Sequence, residues 1–334
     1  MLLAALLALA QAETFAGTGI RGFMGDGGPA LKARLDEPFH CELDGKGSLY
    51  VAEAGNHCVR RIDLKTGTIS TVAGSGKKGY EGDAGPATKA AFNEILALAV
   101  TPEGDLYLCD RLNRRIRKVD GKTGIVTTVA GTGKVGDGAE GVATRQPMVE
   151  PHDVCLDGKG GLLIADVGAW RLRRLDLKTG TLSVFAGIGR RAGKIARADK
   201  RDGGPASKAL IHGARAVAVD GKGNTWVLER EGDSLRLIDK DGLISTVASS
   251  GFKGPKAVRC DKEGRVYVVD TENHAVKVFD PRTKRVSVVV GKGLKRPHGL
   301  AIDGKGVLYI ADSENHRVAR VQPSDAGKPS SKDR

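Results

Sequence analysis

The chain has 334 residues, 40% of them hydrophobic, so it can bury a large core without disulfide or metal staples. Only 4% are aromatic, which calls for an aliphatic core and argues against a binding site lined with Trp and Tyr. A formal charge of +13 suits polyanionic or carboxylate-bearing partners, and no segment beyond the N-terminus is apolar enough to span a membrane.

The N-terminus reads MLLAALLALAQA, an apolar run closed by Ala10-Gln11-Ala12. A short apolar stretch before a small-x-small triplet predicts an export signal over residues 1–12 and a secreted or periplasmic protein, although no Lys or Arg precedes the run. The five cysteines form no CxxC pair and fall in strand-like runs, which predicts buried small hydrophobes and no zinc ribbon.

Six stretches then align without gaps, from Leu49, Leu106, Leu162, Thr225, Val266 and Leu308. Each carries a carboxylate at its fifth position: Glu53, Asp110, Asp166, Glu229, Asp270 and Asp312. An apolar run ending in Asp-Gly-x-Gly or a relative precedes each anchor, and two more runs follow across Lys-Thr-Gly-type turns. Four short β-branched strands per repeat, six times over, predict an all-β six-bladed propeller of four-stranded antiparallel blades. The sixth repeat has three strands before a Pro- and Ser-rich tail, but Glu13-Thr14-Phe15-Ala16-Gly17 matches a fourth strand. Residues 14–17 are therefore expected to complete blade six. The predicted division is 1–12 signal, 13–321 propeller and 322–334 disordered tail.

These repeats resemble the NHL family, named for an Asn-His-Leu triplet. The matching dipeptides are Asn56-His57, Asn273-His274 and Asn315-His316, with Asn113-Arg114 close; blades three and four have Ala169-Trp170 and Gly232-Asp233 instead. Glycine-rich inserts such as Gly25–Ala30, Gly82–Ala87 and Asp202–Ala206 are similar to those of bacterial exported NHL proteins. The resemblance implies the fold and leaves the activity open, because propellers host lyases, hydrolases, binders and scaffolds.

A residue repeated in every blade is read as structural. The six carboxylates are expected to accept hydrogen bonds from turn backbone at the end of the second strand. Function is sought where blades differ. Counting five residues back from the aspartate that ends each first strand (Thr101 in blade two) gives Phe39, Leu96, His152, Arg215, Lys256 and His298. All six are expected at the channel mouth on the insert-bearing face. The proposed ligand-binding set is His152, Arg215, Lys256 and His298: an anion or carboxylate site in which two cations supply charge and two imidazoles act as donors or proton carriers. Polar lining of a water-filled channel explains the same residues without a ligand. His40 and His212 lie out of phase, and His40 is expected to face elsewhere.

Peptide-amidating lyases resemble this chain as NHL-type propellers in which three His from different blades bind zinc. His152 and His298 match two such ligands and no third is in register, so neither a metal nor a cofactor is expected. Calcium at Asp26, Asp83 or Asp202 is weakly supported, for each loop has too few consecutive acids. Four long connections raise one side of the face and hold Lys77, Lys78, Lys134, Arg190, Arg191, Lys194, Arg197, Lys200 and Arg201. No nucleophile elbow, HExxH or triad spacing is present. The leading reading is thus an exported, monomeric, non-enzymatic binding propeller that presents a basic asymmetric face to a protein, peptide or anionic envelope polymer. The alternative is a lyase or hydrolase at the channel mouth. RNA binding is disfavoured by the leader and by the scarcity of aromatics for base stacking.

Overall fold

The computed structural model describes residues 12–138, 140–189 and 201–322. The expected signal, apart from Ala12, and the tail beyond Gln322 lie outside the described residues. So do Arg190, Arg191, Lys194, Arg197 and Lys200 of the third-to-fourth connection.

Six antiparallel sheets follow one another along the chain. Blade one runs outward through Pro38–Leu43, Ser48–Glu53, Cys58–Asp63 and Ile69–Ala73, and the others repeat that order. The turns are built by the repeated aspartate: Asp44 Oδ1 accepts the N–H groups of Lys46 and Ser48 at 2.7 and 2.9 Å, while Gly47 takes φ 108°, a conformation open to glycine. Blade three carries a fifth strand, Gly141–Val142, contributed by the insert before it. Blade six is completed by Glu13–Ala16, paired antiparallel with Arg317–Val321 through Glu13 opposite Arg320 and Thr14 opposite Ala319. The chain ends thus close the ring, and the sheet edge that an open fourth strand would leave is covered.

The core lies between blades. Ala52 and Val59 of blade one pack with Leu98 and Leu108 of blade two, and comparable aliphatic clusters fill the other seams. Each fully buried Leu or Val contributes roughly 1.5–3 kcal/mol. At the seam between the first and last blades, a Cβ on Gly299 would lie 2.6 Å from the Phe39 carbonyl oxygen. Glycine there lets the two innermost strands approach. All five cysteines are free thiols: Cys41, Cys58 and Cys109 are buried, Cys155 and Cys260 half-buried.

The repeated polar residues tie chain segments together, with a different geometry from the expected one. Each anchor carboxylate accepts a backbone N–H from the connection entering its own blade, and at Asp166 the backbone of Ala169 in the turn after the second strand contributes as well. Asp36 N donates to Glu53 at 2.8 Å, Asn93 N to Asp110 at 2.7 Å and Lys295 N to Asp312 at 2.7 Å. In four blades the turn adds an asparagine side chain: Asn56, Asn113, Asn273 and Asn315 each donate Nδ2–H to their anchor. The next residue reaches the following blade. Nδ1 of His57 accepts the Glu94 N–H at 3.2 Å, and Nδ1 of His274 accepts that of Arg296 at 2.9 Å. In diverged blade four, Asp233 Oδ1 accepts from Gly254 N at 3.0 Å, so a carboxylate replaces the imidazole.

The four inserts share one construction. Each contains a short 3-10 turn whose first alanine is buried: Ala30, Ala87, Ala143 and Ala206. Each also presents an aspartate to a fully buried arginine of the blade it precedes. Asp26 meets Arg60, Asp83 meets Arg117 and Asp202 meets Arg236, all at 2.7 Å; Asp137 meets Arg173 at 3.0 Å. These carboxylates are thus occupied by guanidinium and do not fit a calcium site. Blades five and six follow short connections, and Lys277 and Ala319 stand where the arginine would be.

Candidate functional site

Phe39, Leu96, His152, Arg215, Lys256 and His298 come together at the top of the channel, where all six line one cavity. The cause is a β-bulge at the start of the innermost strands. Pairing skips from Pro38 to His40, Ile95 to Ala97, Pro151 to Asp153, Ala214 to Ala216 and Pro297 to Gly299. The skipped residue is the counted one, and the bulge aims it at the mouth. Lys256 takes the same place just before its strand, with its N–H on the Val269 carbonyl at 3.0 Å.

The bulge also corrects the reading of His40. Once Phe39 is unpaired the alternation resets by one residue, and His40 falls on the channel side. Its Nε2 lies 3.7 Å from Asp153 Oδ1 and contacts Arg259. Arg259 also reaches Glu42 at 3.4 Å and Asp153 at 3.8 Å. His40 and Asp153 line the mouth side of this ionic layer. Glu42 and Arg259 line a second cavity of about 400 Å³ that opens around the turn at Gly45 and Gly47. Asp153, Glu42 and Arg259 were missed; taking alternate residues after the bulge would have found them. His212 is buried, and its backbone N–H donates to Glu229, so it serves the scaffold.

Hydrogen-bond geometry fixes both imidazoles. Ser313 Oγ lies 2.6 Å from the Pro38 carbonyl oxygen, which can only accept, so the hydroxyl donates there. His298 Nδ1, 2.6 Å from the same Oγ, must then be the donor. That leaves the Nε2 lone pair facing Lys256 Nζ at 3.0 Å. His152 holds the other tautomer: Nε2–H donates to Glu150 Oε1 at 3.0 Å, and Nδ1 accepts from Arg215 Nη1. Burial, and then Arg215, push the His152 pKa down to about 3; burial, and then Lys256, push His298 down to about 2. Both rings are neutral acceptors at physiological pH. Each presents its acceptor nitrogen to a cation, an arrangement that does not fit a zinc ligand set. Among the described residues no cluster of three or more His, Cys, Asp or Glu could hold a metal.

Among the described residues, no carboxylate lies within 4 Å of Arg215 or Lys256. Burial, and then Arg215, lower the Lys256 pKa to about 8, and burial lowers Arg215 to about 10. The rim above is charge-balanced. Arg111 bridges Glu94 and Glu150 of successive blades at 2.6 Å each, and Arg296 bridges Glu272 and Glu314 at 2.8 and 3.3 Å. Hydrogen bonding to His152, and then to Arg111, holds Glu150 far below the ordinary carboxylate range. Excess positive charge at the mouth thus sits in its floor. Lys77, Lys78 and Lys134 of the inserts are exposed.

Fold and site together define a six-bladed β-propeller with a polar, asymmetric channel mouth. Two of its repeats match the NHL repeat profile, over residues 252–279 and 294–320. NHL repeat-containing protein 2 of Gallus gallus is 28% identical over 290 residues, 74% of this chain and 39% of that protein, so the chain spans well under half of that relative. Among solved structures, a streptogramin B lyase superposes with a TM-score of 0.63 at 13% identity, covering 95% of this chain and 98% of the lyase. An auxiliary nutrient binding protein from Bacteroides ovatus gives 0.65 at 14% identity, covering 94% of this chain and 76% of that one. One fold therefore serves an enzyme and a binder, and these likenesses carry the fold alone.

Proposed function

We propose that the protein is an exported, non-enzymatic binding propeller that takes an anionic group of a protein, peptide or envelope polymer at its channel mouth. The observation that carries this reading is the way Arg215 and Lys256 are held. Neutral imidazoles position both cations without cancelling their charge. Taking two cations out of water without a counter-charge is costly, and a bound anion removes that cost. Acetate, followed by the ¹⁵N shifts of the Arg215 guanidinium and the Lys256 ammonium, tests the reading. Saturable shifts that vanish in Lys256→Met are expected; unmoved resonances at high acetate overturn it.

A lyase or hydrolase at the same mouth is the second reading, and the His298 Nε2 lone pair supports it as a proton acceptor. Recovery of a bound ligand chemically unchanged favours the binder, and conversion favours the enzyme. Export rests on the residue 1–12 segment together with a closing strand that starts at Glu13. Glu13 as the first residue of the mature protein is the expected result, and Met1 would remove this part of the proposal.

A further inference from the structure

The floor of the mouth is divided by chemistry. His152, Arg215, Lys256 and His298 come from blades three to six, and Phe39 and Leu96 from blades one and two. The boundary runs through one side chain. Phe39 stacks on the His298 ring, with centroids 4.2 Å apart and planes 25° apart, and its centroid lies 5.9 Å from Arg215 Cζ. Beside it Leu96 is buried, and Ala54 continues the apolar side. Above these sit the carboxylates of Glu37 and Glu94. Glu37 is exposed and makes no ion pair among the described residues. The cavity over this floor is about 510 Å³, the size of a small-molecule or peptide-end site.

From this geometry we infer that the ligand is a monocarboxylate carried directly on an apolar body, such as the hydrophobic C-terminal residue of a peptide. The carboxylate sits on Arg215 and Lys256, and the apolar group covers Phe39 and Leu96 within about one side-chain length of it. The inference rests on the anion reading above and adds the apolar half. Water over Phe39 and Leu96 is poorly hydrogen-bonded, so an apolar group that displaces it gains affinity. The rim carboxylate of Glu37, which has no ion pair among the described residues, borders that half and repels a second negative charge. This excludes dianions and makes the site selective, not merely basic.

The test compares acetate, N-acetylphenylalanine and N-acetylphenylalaninamide by calorimetry. N-acetylphenylalanine is expected to bind at least ten-fold more tightly than either of the others, because each of those lacks one half of the match. Phe39→Ala should remove that advantage, so that N-acetylphenylalanine binds the variant no more tightly than acetate does, and Glu37→Gln should raise succinate affinity relative to acetate. An unchanged melting temperature confirms that each variant is folded. If acetate binds and N-acetylphenylalanine binds no better, this inference fails and the anion reading stands. If neither acid binds, both fail.

Discussion

Arg60 lies wholly inside the protein with its guanidinium 2.7 Å from Asp26 and 3.4 Å from Glu53, so one side chain joins the first insert to the anchor of blade one. Glu53 is itself fully buried, and burial pushes its pKa up to about 7. Removing either end therefore has unequal costs. Arg60→Met strands Glu53 and should destabilise by about 3–5 kcal/mol. Asp26 is half exposed, so Asp26→Asn should cost about 1 kcal/mol or less. Urea unfolding measures both. Limited proteolysis near Gly25 should accelerate in each variant, and equal stability losses would contradict the proposed asymmetry.

The His274 imidazole accepts the Arg296 N–H of the neighbouring blade, and among the described residues no backbone acceptor takes that N–H. His274→Ala should lower stability by about 1 kcal/mol. It should also speed hydrogen exchange at the Arg296 amide before it affects the strands of either blade. A variant with unchanged exchange at Arg296 would show that the contact carries no weight.

The tautomers assigned to His152 and His298 are directly observable. Long-range ¹H–¹⁵N correlation should find His298 protonated on Nδ1 and His152 on Nε2, both still neutral at pH 5. Ser313→Ala removes the hydroxyl that fixes His298 and should release its tautomer preference without altering His152. A charged His298 at pH 5 would contradict the burial argument.

Anion affinity should depend on pH through Lys256. Its folded pKa of about 8 lies below the ordinary lysine value, so the charged form is complete at pH 7 and lost as pH rises through 8. Acetate binding should weaken about ten-fold between pH 7 and 9 if only the ammonium form binds. It should stay nearly flat from pH 6 to 7, where both histidines remain neutral and acetate is ionised. In Lys256→Met acetate binding is expected to be lost across the whole pH range. The lysine's contribution to folding runs the other way: the unfolded chain holds this proton more tightly, so stability gains from rising pH between about 8 and the unfolded value.

The blades, their strands and, within one residue, the closing strand expected at 14–17 and found at Glu13–Ala16 were legible in the sequence because six copies of one pattern average out local ambiguity. The gathering of Phe39, His152 and their equivalents was legible too, through a constant offset from the turn aspartates. His40 was not, because an unpaired residue ahead of it inverts the strand alternation, and a bulge leaves no mark in a single repeat. The arginine–aspartate pairs were also hidden. Arg60, Arg117 and Arg236 each meet an insert aspartate 34 positions earlier, an offset that alignment of anchors alone does not inspect. The charge division of the mouth depends on rim carboxylates whose neutralisation by Arg111 and Arg296 appears only in three dimensions.

The closing strand also sets an order of events. Arg320 and Glu13, which pair across the clasp, are 307 positions apart, the widest separation the chain allows its sheets. Strand Glu13–Ala16 must therefore wait for Arg317–Val321, the last strand of the ring. Until Arg317–Val321 is made, five blades can form while the sixth lacks both its third strand and its cover. The search for that single long-range pairing is then the slow step expected of a fold dominated by distant contacts. Cutting between blades five and six and linking Val321 to Glu13 through a short loop would turn the clasp into a hairpin, and such a permutant should fold faster to the same ring.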